Sequence, residues 1–316
     1  MSLRVVFMGT PEFSVPSLEA LVEAGYEVVG VFTQPDRPKG RGGKTQASPV
    51  KEYAVKQGIP VFQPLKIRAD GLEDLKALAP DLCVTAAFGQ ILSQAVLDIP
   101  RLGTVNVHAS LLPRHRGAAP VQWAVLQGDG ETGITTMLTD KGIDTGDMLL
   151  KAVCPIGEDD TAGALLERLA RMGAVLLIET ITKLENGICP REKQSEVDAT
   201  YDAMLSKEMG LLDFSEGTAV CLRRVRAMNP WPCAYARLGE GVLKIWQARA
   251  AVGVFPQAAA GTVLCADTKQ GLVVATQDGA VEFLEIQAPN AKRMEAKAFL
   301  RGHEMGAGKP LHEVKI

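Results

Sequence analysis

The sequence predicts an α/β protein: a Rossmann-like domain on an open, mostly parallel sheet, followed by a small, OB-like β-barrel domain. Three observations lead to this fold class. Short apolar runs alternate with helical segments through the first half of the chain, as in βαβ units. Gly- and Pro-rich breaks end those runs, as expected for connections at the surface of a parallel sheet. After residue 187 the pattern changes to short alternating segments separated by glycine, which is typical of small barrels.

The elements of the first half follow in order. An apolar run ends at Gly9-Thr-Pro11, and the spacing of Phe13, Leu18 and Leu21 then indicates a helix. The same reasoning repeats along the chain. We predict strands over 3–8, 27–33, 60–62, 82–86, 104–108, 133–138 and 148–155, with further helices at about 49–57, 69–77 and 160–183.

The second half has a different composition. Residues 188–205 are polar and without a sustained period, which predicts a linker. We therefore predict a first domain over 1–187 and a second over 206–316. The second domain is expected to contain a helix at 217–228 and strands at 234–238, 242–248, 261–266, 272–276 and 280–286.

Composition excludes several classes of protein. A net charge of −3 argues against a protein that coats nucleic acid in general, although residues 191–316 are slightly basic and residues 1–190 acidic. The six cysteines include no Cys-x-x-Cys pair, which indicates reduced thiols. No segment has the length and apolar character of a membrane span or a signal sequence. We expect a cytoplasmic protein, and a monomer.

Candidate chemistry lies at the end of the strand 104–108. Asn106 and His108 are two residues apart, so both project from one face of that strand. Asp144 lies in a Gly- and Asp-rich segment between two later strands, which is otherwise typical of a solvated turn. An Asn that stabilises an oxyanion, a His that carries a proton and an Asp that orients it are suited to acyl transfer. With no nucleophilic Ser or Cys evident beside them, direct attack by a substrate group is favoured over a covalent acyl-enzyme.

Two other kinds of site are disfavoured. A dinucleotide site needs several glycines after the first strand, whereas Gly9 is followed by Pro11 and Glu12, whose charge would repel a phosphate. His108 and His115 are seven residues apart across a Pro-Arg loop, and no carboxylate has ligand spacing with them. We predict no metal.

Two basic groups suggest a nucleic-acid partner. The segment 37–51 carries five basic residues, three glycines and no acid, and it includes Lys39, Arg41 and Lys44. A second group, with Arg223 and Arg224, lies in 217–239, which has no carboxylate. Flexible basic loops fit a phosphate backbone, although a solvated loop is the common alternative.

Two motifs resemble those of a known family. His108-Ala-Ser-Leu-Leu-Pro-Arg-His-Arg-Gly117, with Asn106 before it, resembles the signature of the formyltetrahydrofolate-dependent formyltransferases, and Gly142-Ile-Asp-Thr-Gly-Asp147 resembles their second motif. The segments 31–42, 87–92 and 229–232 resemble the branch of the family that acts on methionyl-tRNA. The resemblance covers essentially the whole chain; His115 and Phe88 depart from it, because relatives often carry other aromatic residues there.

The resemblance implies a function and roles for residues. It implies transfer of the formyl group of 10-formyltetrahydrofolate to the amino group of methionine on initiator methionyl-tRNA, with Asn106, His108 and Asp144 as the catalytic set. Arg41 is implied to contact the acceptor stem, and the barrel is implied to bind tRNA. With the two basic groups, the predicted tRNA-binding residues are Lys39, Arg41, Lys44, Arg223 and Arg224. The residues implied to line the folate site are Phe88, Gly89, Gln90, Ile91, Leu92, Ser110, Leu111, Leu112 and Pro113.

Two alternatives stay open at this point. A formyltransferase acting on a small molecule, such as a purine-pathway ribonucleotide or a nucleotide sugar, would share the Asn, His and Asp. It would have no need of the basic loop or of the second domain. A non-enzymatic RNA-binding protein with a degenerate fold would not need the Asn, His and Asp.

Overall fold

The computed structural model describes residues 3–39 and 44–314, which form two compact units. The first unit takes in residues up to Pro120, Glu131–Pro155 and Leu166–Asp202. The second takes in Val121–Gly130, Ile156–Leu165 and the chain from Ala203 onward.

Strands and helices alternate along the first part of the chain, and strands predominate in the second. The strands are β1 (Arg4–Gly9), β2 (Glu27–Phe32), β3 (Arg37–Lys39), β4 (Lys44–Gln46), β5 (Val61–Phe62), β6 (Leu82–Ala86), β7 (Thr104–His108), β8 (Arg116–Gly117), β9 (Glu131–Leu138), β10 (Met148–Pro155), β11 (Tyr201–Asp202), β12 (Ala234–Leu238), β13 (Gly241–Ala250), β14 (Val263–Asp267), β15 (Gly271–Ala275), β16 (Ala280–Gln287) and β17 (Met294–Glu295). The helices are α1 (Val15–Glu23), α2 (Pro49–Lys56), α3 (Ile67–Asp70), α4 (Leu72–Leu78), α5 (Gln94–Leu97), α6 (Pro120–Gln127), α7 (Ala162–Glu185), α8 (Thr218–Ala227) and α9 (Ala296–Phe299).

The first unit is built on a 7-stranded sheet in the order β10-β9-β7-β6-β1-β2-β5. Strands β7, β6, β1, β2 and β5 are parallel, while β9 and β10 are antiparallel additions at one edge. All five residues of β6 are buried, as expected for a central parallel strand covered on both faces. The strand order reverses between β1 and β6, and in open sheets of this kind ligands bind at the carboxyl ends of the strands beside such a reversal.

Apolar residues of the sheet and its helices form the core of the first unit. Met8, Phe32 and Cys83 are fully buried in one cluster with Leu75 of α4. The rings of Phe32 and Phe62 stack with centroids 4.9 Å apart. This packing fixes the sheet beneath the strand ends that carry the polar side chains.

Two short strand pairs lie outside the main sheet of the first unit. β3 and β4 form an antiparallel pair, and β8 pairs in parallel with β11, with Tyr201 opposite Arg116 and Asp202 opposite Gly117. β11 falls in the segment that the sequence predicts as a linker, and the structure includes it in the first unit.

The second unit contains an antiparallel sheet in the order β12-β13-β16-β15-β14, with β17 paired to β16. Residues facing inward alternate along β12, where Ala234, Ala236 and Leu238 are buried. Helix α8 contributes the buried Cys221 and Val225.

The predicted fold class is confirmed: a mostly parallel α/β sheet is followed by an antiparallel β unit. One predicted helix was wrong in detail, because the helix at 69–77 divides into α3 and α4 at Gly71. A Cβ at Gly71 would lie 3.2 Å from the Cα of Ile67, so a larger residue would disturb this junction. The six cysteines are free. Over the described ranges, no helix combines the length and hydropathy needed to cross a bilayer.

Candidate active site

Three polar side chains meet at one end of the sheet in the first unit. Asn106 and His108 belong to β7, which lies between β6 and β9. Asp144 belongs to the connection from β9 to β10. The structure brings together all three residues that the sequence singles out for catalysis.

The three side chains lie close together, but the distances between their polar atoms are longer than those of ordinary hydrogen bonds. The Nδ2 group of Asn106 donates a long hydrogen bond of 3.5 Å to Oδ1 of Asp144. Nδ1 of His108 lies 3.7 Å from Oδ2 of Asp144, with the side chains 7% and 18% exposed. That separation is longer than a hydrogen bond, so a water molecule or a polar substrate atom can bridge the pair, or the pair can tighten when substrate binds.

The other nitrogen of His108 is already engaged. Nε2 lies 2.9 Å from the backbone carbonyl oxygen of His115. A carbonyl oxygen only accepts hydrogen bonds, so Nε2 carries a proton and donates it to this contact. Nδ1, on the side of Asp144, is therefore the nitrogen without a proton in the neutral ring.

The orientation of the Asn106 amide is set by a threonine on the neighbouring strand. The hydroxyl of Thr85, in β6, donates to Oδ1 of Asn106 at 2.9 Å. With its oxygen held by Thr85, Asn106 turns its Nδ2 donor toward Asp144 and the space beside it. The sequence carried a signal for Thr85, namely a polar residue near the end of an otherwise apolar strand.

Asp144 is presented by a tightly wound turn. Its φ is 54°, in the left-handed region that aspartate tolerates better than most residues. A Cβ at Gly146 would lie 1.7 Å from the carbonyl oxygen of Leu138, so only glycine fits there. The backbone amide of Gly117 donates to Oδ2 of Asp144 at 2.9 Å and fixes the carboxylate.

A buried arginine connects this turn to the segment after α7. Arg116 is fully buried, and its guanidinium donates to Gln194, Glu196 and Tyr201. Its hydrogen bond lowers the pKa of Glu196, and Glu196 in turn raises the pKa of Arg116. Gln194 also donates to the carbonyl oxygens of Asp144 and Gly146, at 2.7 and 2.8 Å. Sequence reasoning missed this support, because residues 188–205 show no periodicity that would mark them as packed.

Four of the nine predicted folate residues have buried side chains. Phe88, Leu92, Ser110 and Leu112 are buried, whereas Ile91 is 71% exposed. The others are partly covered or exposed: Gly89, Gln90, Leu111 and Pro113. The protein can therefore present the backbone of these segments to a ligand, together with the side chains that are not buried.

A cavity of about 520 Å³ lies at the carboxyl ends of β1, β2 and β6. Two predicted folate residues, Phe88 and Gly89, line it together with Thr10 and Gln34. The carbonyl oxygen of Phe88 accepts hydrogen bonds from both Thr10 and Gln34, which holds the turn after β6 in place. This is the crevice where an open α/β sheet binds its ligand.

The structure describes residues 37–39 and 44–51 of the basic segment 37–51. β3 ends at Lys39 and β4 begins at Lys44, and the two residues pair across the hairpin. Arg41, predicted to contact tRNA, lies outside the described residues. Lys51 is engaged internally, in an ion pair of 2.5 Å with Asp36.

The predicted basic residues of the second unit, Arg223 and Arg224, are both partly buried. Arg224 forms an ion pair of 2.5 Å with Glu216, and its side chain is 17% exposed. The guanidinium of Arg223 lies beside Gly128: a Cβ added at Gly128 would be 2.8 Å from Nη1 of Arg223. Their assignment to tRNA binding stays a prediction. Within the described ranges, no group of three or more His, Cys, Asp or Glu side chains is placed to hold a metal ion.

Comparisons with known proteins follow the division of the chain. The family model for formyl transferase matches residues 3–181, and the model for the formyl transferase C-terminal domain matches residues 204–304. The chain is 48% identical over 307 residues to methionyl-tRNA formyltransferase of Symbiobacterium thermophilum, covering 97% of this chain and 94% of that one. It is 47% identical over 310 residues to methionyl-tRNA formyltransferase of Acetivibrio thermocellus, covering 98% and 99%.

Solved structures share the fold at lower identity. An N-formyltransferase from Helicobacter canadensis, in complex with folinic acid and dTDP-3-aminofucose, superposes with a TM-score of 0.66 at 19% identity, covering 92% of this chain and 100% of that one. HypX from Aquifex aeolicus in complex with tetrahydrofolic acid gives a TM-score of 0.63 at 17% identity, covering 95% of this chain and 47% of HypX. Because the two family models account for both parts of the chain, and relatives match almost all of its length at nearly half identity, this chain belongs to the formyl transferase family.

Proposed function

We propose that this protein transfers the formyl group of 10-formyltetrahydrofolate to the α-amino group of methionine on initiator methionyl-tRNA, giving N-formylmethionyl-tRNA. The observation that carries the proposal is the convergence of Asn106, His108 and Asp144 at the sheet end of a chain whose relatives are named methionyl-tRNA formyltransferase. None of these three residues is a nucleophilic Ser or Cys. The site therefore fits direct transfer between two bound substrates, without a covalent enzyme intermediate.

Asn106 acts on the developing negative charge. The free amine attacks the formyl carbon, a C–N bond forms, and charge collects on the formyl oxygen. The Nδ2 donor of Asn106 is oriented in advance by Thr85, so it stabilises this oxyanion without reorganising during the reaction.

His108 and Asp144 stabilise the charge of the oxyanion and receive the proton that the attacking nitrogen loses. Nδ1 of protonated His108 donates to the oxyanion, and the carboxylate of Asp144, 3.7 Å away, stabilises the imidazolium. The attacking nitrogen loses its extra proton by way of water to this pair. Collapse of the tetrahedral intermediate then breaks the bond from the formyl carbon to N10 of the folate, which leaves carrying a proton.

The proposed binding regions follow from the same assignment. The folate lies along the backbone of residues 88–92 and 110–113, beside the cavity that Phe88 and Gly89 line. Arg41, Lys39 and Lys44 contact the acceptor stem, and Arg223 and Arg224 contribute from the second domain. We propose residues 1–187 as the catalytic domain, 188–205 as the linker and 206–316 as the tRNA-binding domain, in a cytoplasmic monomer that uses no metal.

The proposal is tested by offering labelled 10-formyltetrahydrofolate with initiator methionyl-tRNA, and in parallel with methionine, an amino sugar nucleotide and a ribonucleotide amine. We expect label on methionyl-tRNA and background incorporation into each small amine. Efficient labelling of a small amine, with none on methionyl-tRNA, would assign the protein to a small-molecule branch of the family. Tight tRNA binding with no transfer to any acceptor would indicate an RNA-binding protein without this activity.

A further inference from the structure

A second histidine lies buried next to the candidate site in the first unit. Nδ1 of His115 lies 2.9 Å from Oδ2 of Asp202, and the two side chains are 4% and 2% exposed. Burying such a pair is costly unless its geometry is good, and it fixes the groups that it joins. The proposed reaction assigns no task to either side chain.

The backbone of His115 is held in an uncommon conformation. Its φ is 60°, in the left-handed region that few non-glycine residues adopt, and such a residue persists only where its surroundings determine it. The surroundings are those of the segment 200–202: the His115 amide donates to Thr200 at 2.7 Å, and the side chain is tied to Asp202. The carbonyl oxygen of His115 is thereby aimed at Nε2 of His108, 2.9 Å away.

The same strand pair also holds Asp144. Gly117, whose amide donates to Oδ2 of Asp144, lies opposite Asp202 in the pairing of β8 with β11. The amide of Ala118 donates to the carbonyl oxygen of Asp202 at 3.2 Å. A Cβ at Gly117 would lie 2.5 Å from that carbonyl oxygen, so β11 approaches as closely as glycine permits. One strand pair therefore contacts both partners of the His108–Asp144 pair.

We propose that His115 and Asp202 are positioning residues that fix the tautomer of His108. The contact between their side chains holds the carbonyl oxygen of His115 against Nε2 of His108, so Nε2 keeps its proton and Nδ1, facing Asp144 and the substrate, is the nitrogen that takes up and releases one. A histidine free to exchange tautomers would spend part of its time with Nδ1 protonated and Nε2 unprotonated, and could not take up a proton where the reaction needs it. The role in catalysis rests on the proposed function, but the tautomer can be measured without it.

The tautomer is measured by ¹⁵N spectroscopy of histidine rings in the full-length protein without substrates. The chain has 4 histidines, so a His108→Asn spectrum assigns the signal. In the wild type, neutral His108 should show a protonated Nε2 and an unprotonated Nδ1. In Asp202→Ala the two nitrogens should move toward averaged shifts, as for a mixture of tautomers.

A buried pair elsewhere in the same unit provides the control. The hydroxyls of Thr136 and Thr180 lie 2.8 Å apart and are buried, so Thr180→Val removes a hydrogen bond of the interior without touching β8 or β11. It should leave the His108 signals as in the wild type. The proposal is overturned if Asp202→Ala keeps the single tautomer, if Thr180→Val disturbs it equally, or if the wild type lacks a protonated Nε2.

Steady-state kinetics supply the second readout. Asp202→Ala should lower kcat for formyl transfer by about tenfold or more while KM for 10-formyltetrahydrofolate stays within about twofold, because the defect is in proton handling and not in binding. An unchanged kcat in a variant with mixed tautomers would overturn the catalytic role. A wild type that shows the fixed tautomer but formylates no methionyl-tRNA would instead contradict the proposed function and leave the positioning intact.

A conservative substitution separates positioning from folding. In Asp202→Asn the amide oxygen still accepts from Nδ1 of His115, so most of the wild-type tautomer and kcat should return. If Asp202→Ala does not fold, Asp202→Asn is compared with His115→Asn, which tolerates the left-handed backbone but shortens the reach to Asp202. We then expect the single tautomer in the first and mixed tautomers in the second, and the reverse order contradicts the proposal.

Discussion

The amide of Asn106 has one oxygen and one nitrogen of similar size, and the hydroxyl of Thr85 decides which of them faces the reacting group. Thr85 donates to the amide oxygen at 2.9 Å, so the nitrogen is the atom left for the substrate. At the scale of single residues, the proposed role of Asn106 therefore depends on an orienting group one strand away as well as on the donor itself.

Loss of the Asn106 amide donor should lower turnover severely. We expect Asn106→Ala to lower kcat with methionyl-tRNA about a hundredfold or more, as for other oxyanion donors, with little change in folate affinity. Single-turnover formylation and equilibrium folate binding measure the two effects. A variant with wild-type turnover would remove Asn106 from the catalytic set.

Loss of the orienting hydroxyl should be milder. Thr85→Val keeps the shape of the side chain but lets the Asn106 amide rotate, so we expect kcat to fall by about tenfold. Thr132→Val, at a buried threonine of β9, is the matched control and should retain wild-type turnover. Equal effects of the two substitutions would show that Thr85 only supports the core.

The placement of candidate residues could be predicted from the sequence where it follows from local spacing. The alternation of β7 puts Asn106 and His108 on one face, and the Gly- and Asp-rich turn carries Asp144. The supporting residues were not predictable, because their contacts join distant parts of the chain. Thr85 is 21 residues from Asn106, and Asp202 is 87 residues from His115, and neither spacing has a sequence period.

At the scale of elements, individual residues of the largely exposed segment 194–202 support the site. Gln194 connects the carbonyl oxygens of Asp144 and Gly146 to the buried Arg116. The sequence showed no period in this segment, because its support comes from single hydrogen bonds to buried polar groups and not from an apolar face.

Removing this connection should affect stability and catalysis together. Gln194→Ala leaves Arg116 short of an acceptor, so we expect the free energy of unfolding to fall by about 1–3 kcal/mol and kcat to fall as Asp144 loses its support. Urea denaturation and steady-state assays measure these effects. Gln94→Ala, at an exposed glutamine of α5 whose side chain donates to Asp98, is the control and should change neither. Unaltered stability in Gln194→Ala would contradict the supporting role.

Arg41, Lys39 and Lys44 of the basic segment 37–51 should act on tRNA and not on folate. We expect Arg41→Ala to weaken the reaction with methionyl-tRNA and to lower the slope of log affinity against log salt by about one unit for each phosphate that the variant no longer neutralises. Lys39→Ala and Lys44→Ala should act in the same way but more mildly, since lysine offers a point charge and not a bidentate fork.

Salt titrations of tRNA binding measure these slopes, with Arg171→Ala on the exposed face of α7 as the control. Folate affinity should stay at the wild-type value in every variant. A triple variant at Arg41, Lys39 and Lys44 that formylates methionyl-tRNA normally at physiological salt would leave the hairpin without a role in tRNA binding.

At the scale of the whole molecule, the reaction should need no metal. Every catalytic task is assigned to an amide, an imidazole or a carboxylate, so we expect full activity after exhaustive treatment with a chelator. Initial rates before and after treatment measure this. Activity that is lost and then restored by one divalent ion would overturn the assignment of these tasks.

Pairing of β8 with β11 has a consequence for how the protein is made. Synthesis proceeds from the amino terminus, so Asn106, His108 and Asp144 leave the ribosome well before Asp202 is added. Until then, the carbonyl oxygen of His115 and the amide of Gly117 lack the strand that fixes them. A nascent chain therefore carries Asn106, His108 and Asp144 before the strand that fixes their surroundings, and we expect it to reach its full rate of formyl transfer only after residue 202 has joined the fold.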